Sequence, residues 1–157
     1  MADSIRIQTE AFSIEVESGA LSAGHTDIGA IASFVGLVRD FGDQSGVEAI
    51  ELQYYPGMTE KALQQICAEA HQRWKLNGIR IVHRVGRLLP ADPIVLVVTA
   101  SAHRNDAFAA CMFLMDYLKT RAPLWKKEIT ANGGHWVAAK DSDAEASLRW
   151  QEASTPL

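Results

Sequence analysis

The sequence predicts an α+β fold, with a mostly antiparallel sheet and helices packed on one face. Three observations carry this. Strand-like segments come in adjacent pairs, and helical segments are few. The longest helical stretch follows an apolar strand without a linker. Read along the chain, the order is β, hairpin, α, β, β, α, hairpin.

Ser4 to Thr9 alternates and reads as a first strand. Phe12 to Ala23 fits two descriptions: Phe12, Ile14 and Val16 alternate as in a strand, and a short helix can follow. Asp27 to Asp40 is a long strand rich in small residues, and it delivers Arg39 at its end. Gly29 and Gly36 within it mark a bulge or a close backbone approach. Asp40 to Gly46 is a loop of turn formers. Val47 to Tyr55 alternates, with Ile50, Leu52 and Tyr54 on one face. The strands flanking the loop read as a hairpin. After the Pro56-Gly57 turn, Thr59 to Lys75 is an amphipathic helix. Its apolar face is Ala62, Leu63, Ile66, Cys67, Ala70 and Trp74, and Asn77-Gly78 ends it. Gly78 to Arg84 is a strand and Gly86 to Asp92 a loop.

Ile94 to Ala100 is short, β-branched and without polar alternation, as in a strand buried on both faces. His103 and Arg104 sit where it ends, and Asn105 or Asp106 suits an N-cap. Ala107, Phe108, Cys111, Leu114, Met115 and Leu118 then recur at helical spacing. Ala110, Met112 and Phe113 add apolar groups elsewhere, so the helix reads as buried on most sides. Pro123 stops it. Lys119 and Arg121 fall in its last turn, and Lys126, Lys127 and Glu128 follow. Leu124 to Ile129, the Asn132-Gly133-Gly134 turn and His135 to Ala139 form a second hairpin. The tail from Asp141 carries acids and Trp150, and Ala153 to Leu157 reads as unstructured. No repeat or linker divides the chain, which gives one domain over 1–150 and a flexible tail over 151–157.

The chain has 157 residues, enough for one domain with a core. Its formal net charge of −4 argues against generic binding to nucleic acid or to an anionic membrane. No run is long enough to span a bilayer, and the N-terminus does not read as a signal peptide, so the expectation is cytoplasmic. Cys67 and Cys111 lie on apolar helical faces without metal-ligand spacing. They read as buried thiols, and neither a metal nor a cofactor is expected. There is no GxGxxG after a strand, no Walker A lysine and no GxSxG elbow. Chemistry therefore falls to lysine, arginine and histidine. Charge beside a core is costly, yet cations bracket the apolar helix at both ends. Each alone has a structural explanation, since a helix dipole favours Lys119 and Arg121 at its C-terminus. Together, in an acidic chain, they point to a site for anions.

The segments FVGLVRD (Phe34 to Asp40), LQYYPGMTEKAL (Leu52 to Leu63), HRVGRLLPAD (His83 to Asp92), SAHR (Ser101 to Arg104) and MDYLKTRAPLWKKE (Met115 to Glu128) carry a resemblance. Over about Gly29 to Trp150 the chain resembles the large, catalytic subunit of molybdopterin synthase. The resemblance implies an α/β hammerhead fold with a small β-rich subdomain. It also implies sulfur transfer in molybdenum cofactor biosynthesis. Cyclic pyranopterin monophosphate (precursor Z) gains two sulfurs to become molybdopterin. The donor is the thiocarboxylated C-terminal glycine of a small ubiquitin-like subunit. The assembly implied is a heterotetramer built on a homodimer of large subunits.

By the same resemblance Lys119 is the essential lysine and Lys126 assists it. Arg39, His103, Arg104 and Lys140 hold substrate, with Phe34 and Met115 along the pterin face. The family carries a basic residue, arginine in some members, near Lys140; lysine keeps the charge but loses the fork. Clustered cations lower a lysine's pKa, so Lys119 could act as a base or attack the acyl carbon, and the sequence leaves both open. Fifteen residues of helix between Arg104 and Lys119 span about 22 Å. That is long for one small ligand. The expectation is a composite site, with Lys119, Lys126 and Arg39 from one subunit and His103 and Arg104 from its two-fold mate. Two other readings stand beside this one: a non-catalytic docking module for a ubiquitin-like tail, and a structural dimer module.

Overall fold

The apolar run that reads as a buried strand lies inside a four-stranded sheet. In the computed structural model, which describes residues 3–138 and 140–152, the elements are β1 (Ser4–Gln8), α1 (Ile14–Ser22), β2 (Ala30–Leu37), β3 (Ala49–Tyr54), α2 (Met58–Arg73), β4 (Gly78–Arg84), β5 (Gly86–Leu88), β6 (Pro93–Ser101), α3 (Arg104–Arg121), β7 (Leu124–Thr130), β8 (Gly133–Val137) and α4 (Asp141–Glu152). The first sheet has the order β1-β4-β6-β2. β6 is antiparallel to both neighbours, and β1 is parallel to β4. The class is α+β.

β6 lacks polar alternation because both of its faces are covered. Val95 and Val97 join Ile79 and Ile81 against α2 and α3 in the main core. Leu96, Val98 and Ala100 join Val82 and Leu21 of α1 on the other face. α2 and α3 thus share one face, and α1 lies against the opposite one. α1 resolves the ambiguous Phe12 to Ala23 stretch. Ser13 caps it by accepting from Val16 N, and buried Glu17 ties it to Arg6 of β1 and Arg80 of β4. In the main core, Phe113 is fully buried and meets the rings of Trp74, Tyr117 and Trp150 edge-on.

The second sheet has the order β5-β3-β7-β8 and is antiparallel throughout. This corrects the first expected hairpin. β2 pairs with β6, whereas β3 pairs with β5 and β7. The segment between β2 and β3 crosses from one sheet to the other, because Val38 and Val47 are buried with Ile50, Leu52 and Leu88 in a separate cluster. Backbone bonds pin the crossing: Val38 N donates to Asp92 O at 2.9 Å, and Val47 N donates to Asp40 O at 3.0 Å. The chain crosses a second time at Gly86, whose φ of 85° turns β4 into the short β5. The expected loop from Gly86 to Asp92 thus begins as a strand. The hairpin of β7 and β8 forms, with its turn at Ala131-Asn132 and with Gly133 and Gly134 already in β8; its last predicted residue, Ala139, lies outside the described residues.

Other details differ. α3 begins at Arg104 with His103 at the N-cap, ahead of Asn105 and Asp106. Asp106 instead sits in the first turn, where the dipole favours an acid. Phe108 and Met112 are exposed, so α3 buries one broad face rather than most of its surface. The acidic tail forms α4, whose Trp150 docks on the main core and donates to Asp116 Oδ2 at 2.6 Å. Residues 153–157, expected to be unstructured, are outside the described residues. Cys67 and Cys111 are buried free thiols, and burial raises both, to about 12 and about 11.

Candidate active site

Three structural elements converge where the two sheets meet. The first is the end of β2. A β-bulge falls between Gly36 and Leu37. A Cβ at Gly36 would stand 2.9 Å from Val95 Cγ1, so glycine permits the close pass that turns Leu37, Val38 and Arg39 toward the site. The second is the last turns of α3, where Met115, Leu118 and Lys119 share a face at helical spacing. Pro123 ends the helical run, and its carbonyl accepts from Thr59 Oγ1 at 2.8 Å. The third is β7. Its alternation puts Leu124, Lys126 and Glu128 on one face.

Between these elements lies a cleft of about 840 Å³. That is within the range of small-molecule sites. Phe34, Arg39, Met115, Lys119, Lys126 and Lys140 all line it. Six of the eight residues expected at the site are therefore together. Phe34 is 42% exposed rather than core. Arg39 stacks on Phe41 with its guanidinium carbon 4.7 Å from the ring centre. His103 and Arg104 do not line the cleft. They are exposed at the other end of α3. Arg121 and Lys127 are engaged elsewhere: Arg121 pairs with Glu69, and Lys127 lies over Trp136.

The electrostatics single out Lys126. Burial, first, pushes its amine below the ordinary lysine range. Glu128 opposes this, while Lys119 and Lys140 add to it. Crowding by cations, the influence expected at Lys119, is at Lys126 secondary to burial. Glu128 is 2% exposed and accepts from Gln44 N at 3.0 Å. It thus latches the loop that follows Arg39. A Cβ at Gly42 would fall 1.8 Å from its Oε2, so the loop passes directly over this carboxylate.

His83 was not singled out in the sequence, although a signal existed. It follows Ile79 and Ile81 at strand spacing, a polar residue in an apolar row. It is 5% exposed and lines the cleft. Its Nδ1 lies 2.7 Å from Arg84 O. Burial, with a smaller push from Lys119, lowers it from 6.5 to about 4.

Fold and cleft together define the class: an α+β protein whose cationic cleft, built by two sheets and a helix end, handles a small anionic substrate. The chain belongs to the MoaE family, whose model, described as MoaE protein, matches residues 7–121. A Pseudomonas aeruginosa relative named molybdopterin synthase catalytic subunit is 57% identical over 148 residues, covering 94% of this chain and 99% of the relative. The solved structure of a molybdopterin biosynthesis MoaE protein from Burkholderia ambifaria MC40-6 superposes with a TM-score of 0.82. It is 55% identical and covers 95% of this chain and 98% of its own. The crystal structure of molybdopterin synthase from Staphylococcus aureus gives a TM-score of 0.78 at 33% identity, covering 84% of this chain and 95% of that one.

Proposed function

We propose that the cleft converts precursor Z to molybdopterin by sulfur transfer from the thiocarboxylated tail of a small ubiquitin-like subunit. The observation that carries this reading is the convergence of Arg39, Lys119, Lys126 and Lys140 on one cleft beside Phe34 and Met115. Both reactants are anions, and four cations in a partly apolar pocket stabilise them and the charge that develops as sulfur moves. Arg39, braced on Phe41, offers a planar fork to a phosphate. Lys119 is the central amine, acting as base or as nucleophile toward the acyl carbon. Lys126, which burial pushes toward neutrality, assists proton movement beside it. Phe34 and Met115 offer apolar surface to the pterin.

His103 and Arg104 enter the same reading through the partner copy. They lie at the far end of an 18-residue helix from the cleft, and a two-fold dimer brings the mate's pair to it. There Arg104 contacts phosphate and His103 moves a proton. The working assembly is then a homodimer of this chain with a small subunit on each copy. It needs neither nucleic acid nor membrane, and among the described residues no helix is long and apolar enough to cross a bilayer. The reading puts the chain in the cytoplasm, where Cys67 and Cys111 stay free thiols.

A single-turnover assay tests it. The chain is mixed with precursor Z and thiocarboxylated small subunit, with Lys119→Ala run in parallel. Product from the wild type and none from the variant is expected. Tail binding without product from the wild type would leave only the docking module.

A further inference from the structure

Among the described residues, most charged side chains lining the cleft are donors, and His83 is the one neutral side chain there that offers a nitrogen lone pair. Arg39, Lys119, Lys126 and Lys140 only donate when charged. Glu128 and Asp143 are the acids among the lining residues, and Glu128 already accepts from Gln44 N. His83 is different. A carbonyl oxygen can only accept, so the 2.7 Å contact with Arg84 O fixes the proton on Nδ1. In the neutral ring Nε2 is then a bare lone pair. No described group bonds to Nε2, and no buried side-chain nitrogen or oxygen among the described residues is both enclosed and unpartnered. Nε2 is therefore not fully enclosed, and the residue that carries it lines the cleft. The backbone that carries the ring is fixed on both sides: Ile7 and Val95 pair with His83 from the flanking strands.

We propose that His83 orients the substrate, its Nε2 lone pair accepting a hydrogen bond from an N–H or O–H of the bound heterocycle. This rests on the function proposed above and adds a subsite to it. A lone pair repels an anion. The phosphate end therefore turns to the lysines and Arg39, and a donor edge of the ring system turns to His83. A reduced pterin carries several N–H groups, so it can satisfy both demands at once. The burial that holds His83 near 4 keeps this acceptor unprotonated at neutral pH. A fifth cation here would blur the distinction between the two ends of the ligand.

Two substitutions separate this role from a merely structural one. His83→Asn keeps a donor where Nδ1 stands and removes the acceptor at Nε2. His83→Gln does the reverse, placing an amide oxygen near Nε2 and losing the contact with Arg84 O. KM and kcat for precursor Z are measured with thiocarboxylated small subunit, together with thermal unfolding. The Asn variant should raise KM about five- to twenty-fold, the loss expected for one buried hydrogen bond, while unfolding near the wild-type temperature. The Gln variant should recover most of the wild-type KM despite a lower Tm. An Asn variant with wild-type KM, or a Gln variant worse than Asn in KM, would overturn the proposal. Nitrogen NMR on the wild type provides an independent check should either variant fail to fold. The free protein should show a non-protonated Nε2 whose resonance moves when precursor Z saturates the site; a protonated or unmoved Nε2 would refute the role. Absence of wild-type turnover would count instead against the sulfur-transfer reading.

Discussion

Lowering the pH from 7 toward 4 forces a proton toward His83, and the fold resists it. In the unfolded chain this imidazole titrates near 6.5; in the fold, burial and the nearby Lys119 hold it near 4. Between those values the unfolded state binds a proton that the native state refuses, so acid favours unfolding. The contribution of neutral His83 is therefore fully present above pH 6.5 and is lost as pH falls toward 4. At about 1.4 kcal/mol per pH unit the full gap corresponds to about 3 kcal/mol, of which about 2 kcal/mol is gone by pH 5. His83 is 5% exposed, so solvent screening discounts this little. The assay is urea unfolding at pH 7, 6 and 5 for the wild type and His83→Asn. The variant keeps a donor for Arg84 O and cannot titrate. Its stability should fall less than that of the wild type between pH 7 and 5, by about 2 kcal/mol. Identical pH dependence in the two proteins would refute the argument and show that His83 takes its proton in the fold at an ordinary pH.

Three further outcomes follow from the same structure. Lys119→Ala and His103→Ala chains, each inactive alone, should regain activity when mixed, because each mixed dimer holds one intact composite site; assays after subunit exchange that stay at the level of the single variants would mean both residues serve the same copy. Glu128→Gln keeps an acceptor for Gln44 N but removes the charge that raises Lys126, so the Lys126 amine should titrate lower still and acylate faster at neutral pH, as read by mass spectrometry of the modified residue. Phe113→Ala removes a fully buried ring that three aromatic neighbours surround, and urea unfolding should show a loss of about 3–5 kcal/mol.

Much of the fold is legible where periodicity and chain punctuation agree. β4 matches its predicted span, and β6 exceeds its predicted span by one residue at each end. α2 and α3 appear because their apolar spacing is helical and Gly78 and Pro123 bound them. The first hairpin is not legible. Alternation in 47–55 shows that the segment is a strand but not which strand it pairs with. Pairing is decided by Val38 and Val47, which find a separate cluster. Phe108 and Met112 fit the helical pattern yet face outward, since periodicity counts apolar residues without knowing what covers them. α4 is not legible because its acidic composition hides its anchors, Trp150 on the core and Ser147 and Arg149 against α3. Of the six expected site residues that come together, all but Lys140 lie in the quoted motifs. His83 and Glu128 were overlooked for a physical reason: their importance lies in burial beside cations, which only three-dimensional packing creates. His103 and Arg104 show the converse: the motif lies outside this cleft, and the proposed reading brings it in from a second copy.

In the proposed function, sulfur leaves the small subunit's tail in this cleft and reaches precursor Z. Its most direct test is stoichiometric. Thiocarboxylated small subunit and precursor Z are incubated with the chain, and mass spectrometry counts tails converted from thiocarboxylate to carboxylate per dithiolene formed. Two per molybdopterin are expected, with conversion lost in Lys119→Ala. Tails that bind the chain and leave with their sulfur intact, with precursor Z unchanged, would contradict it.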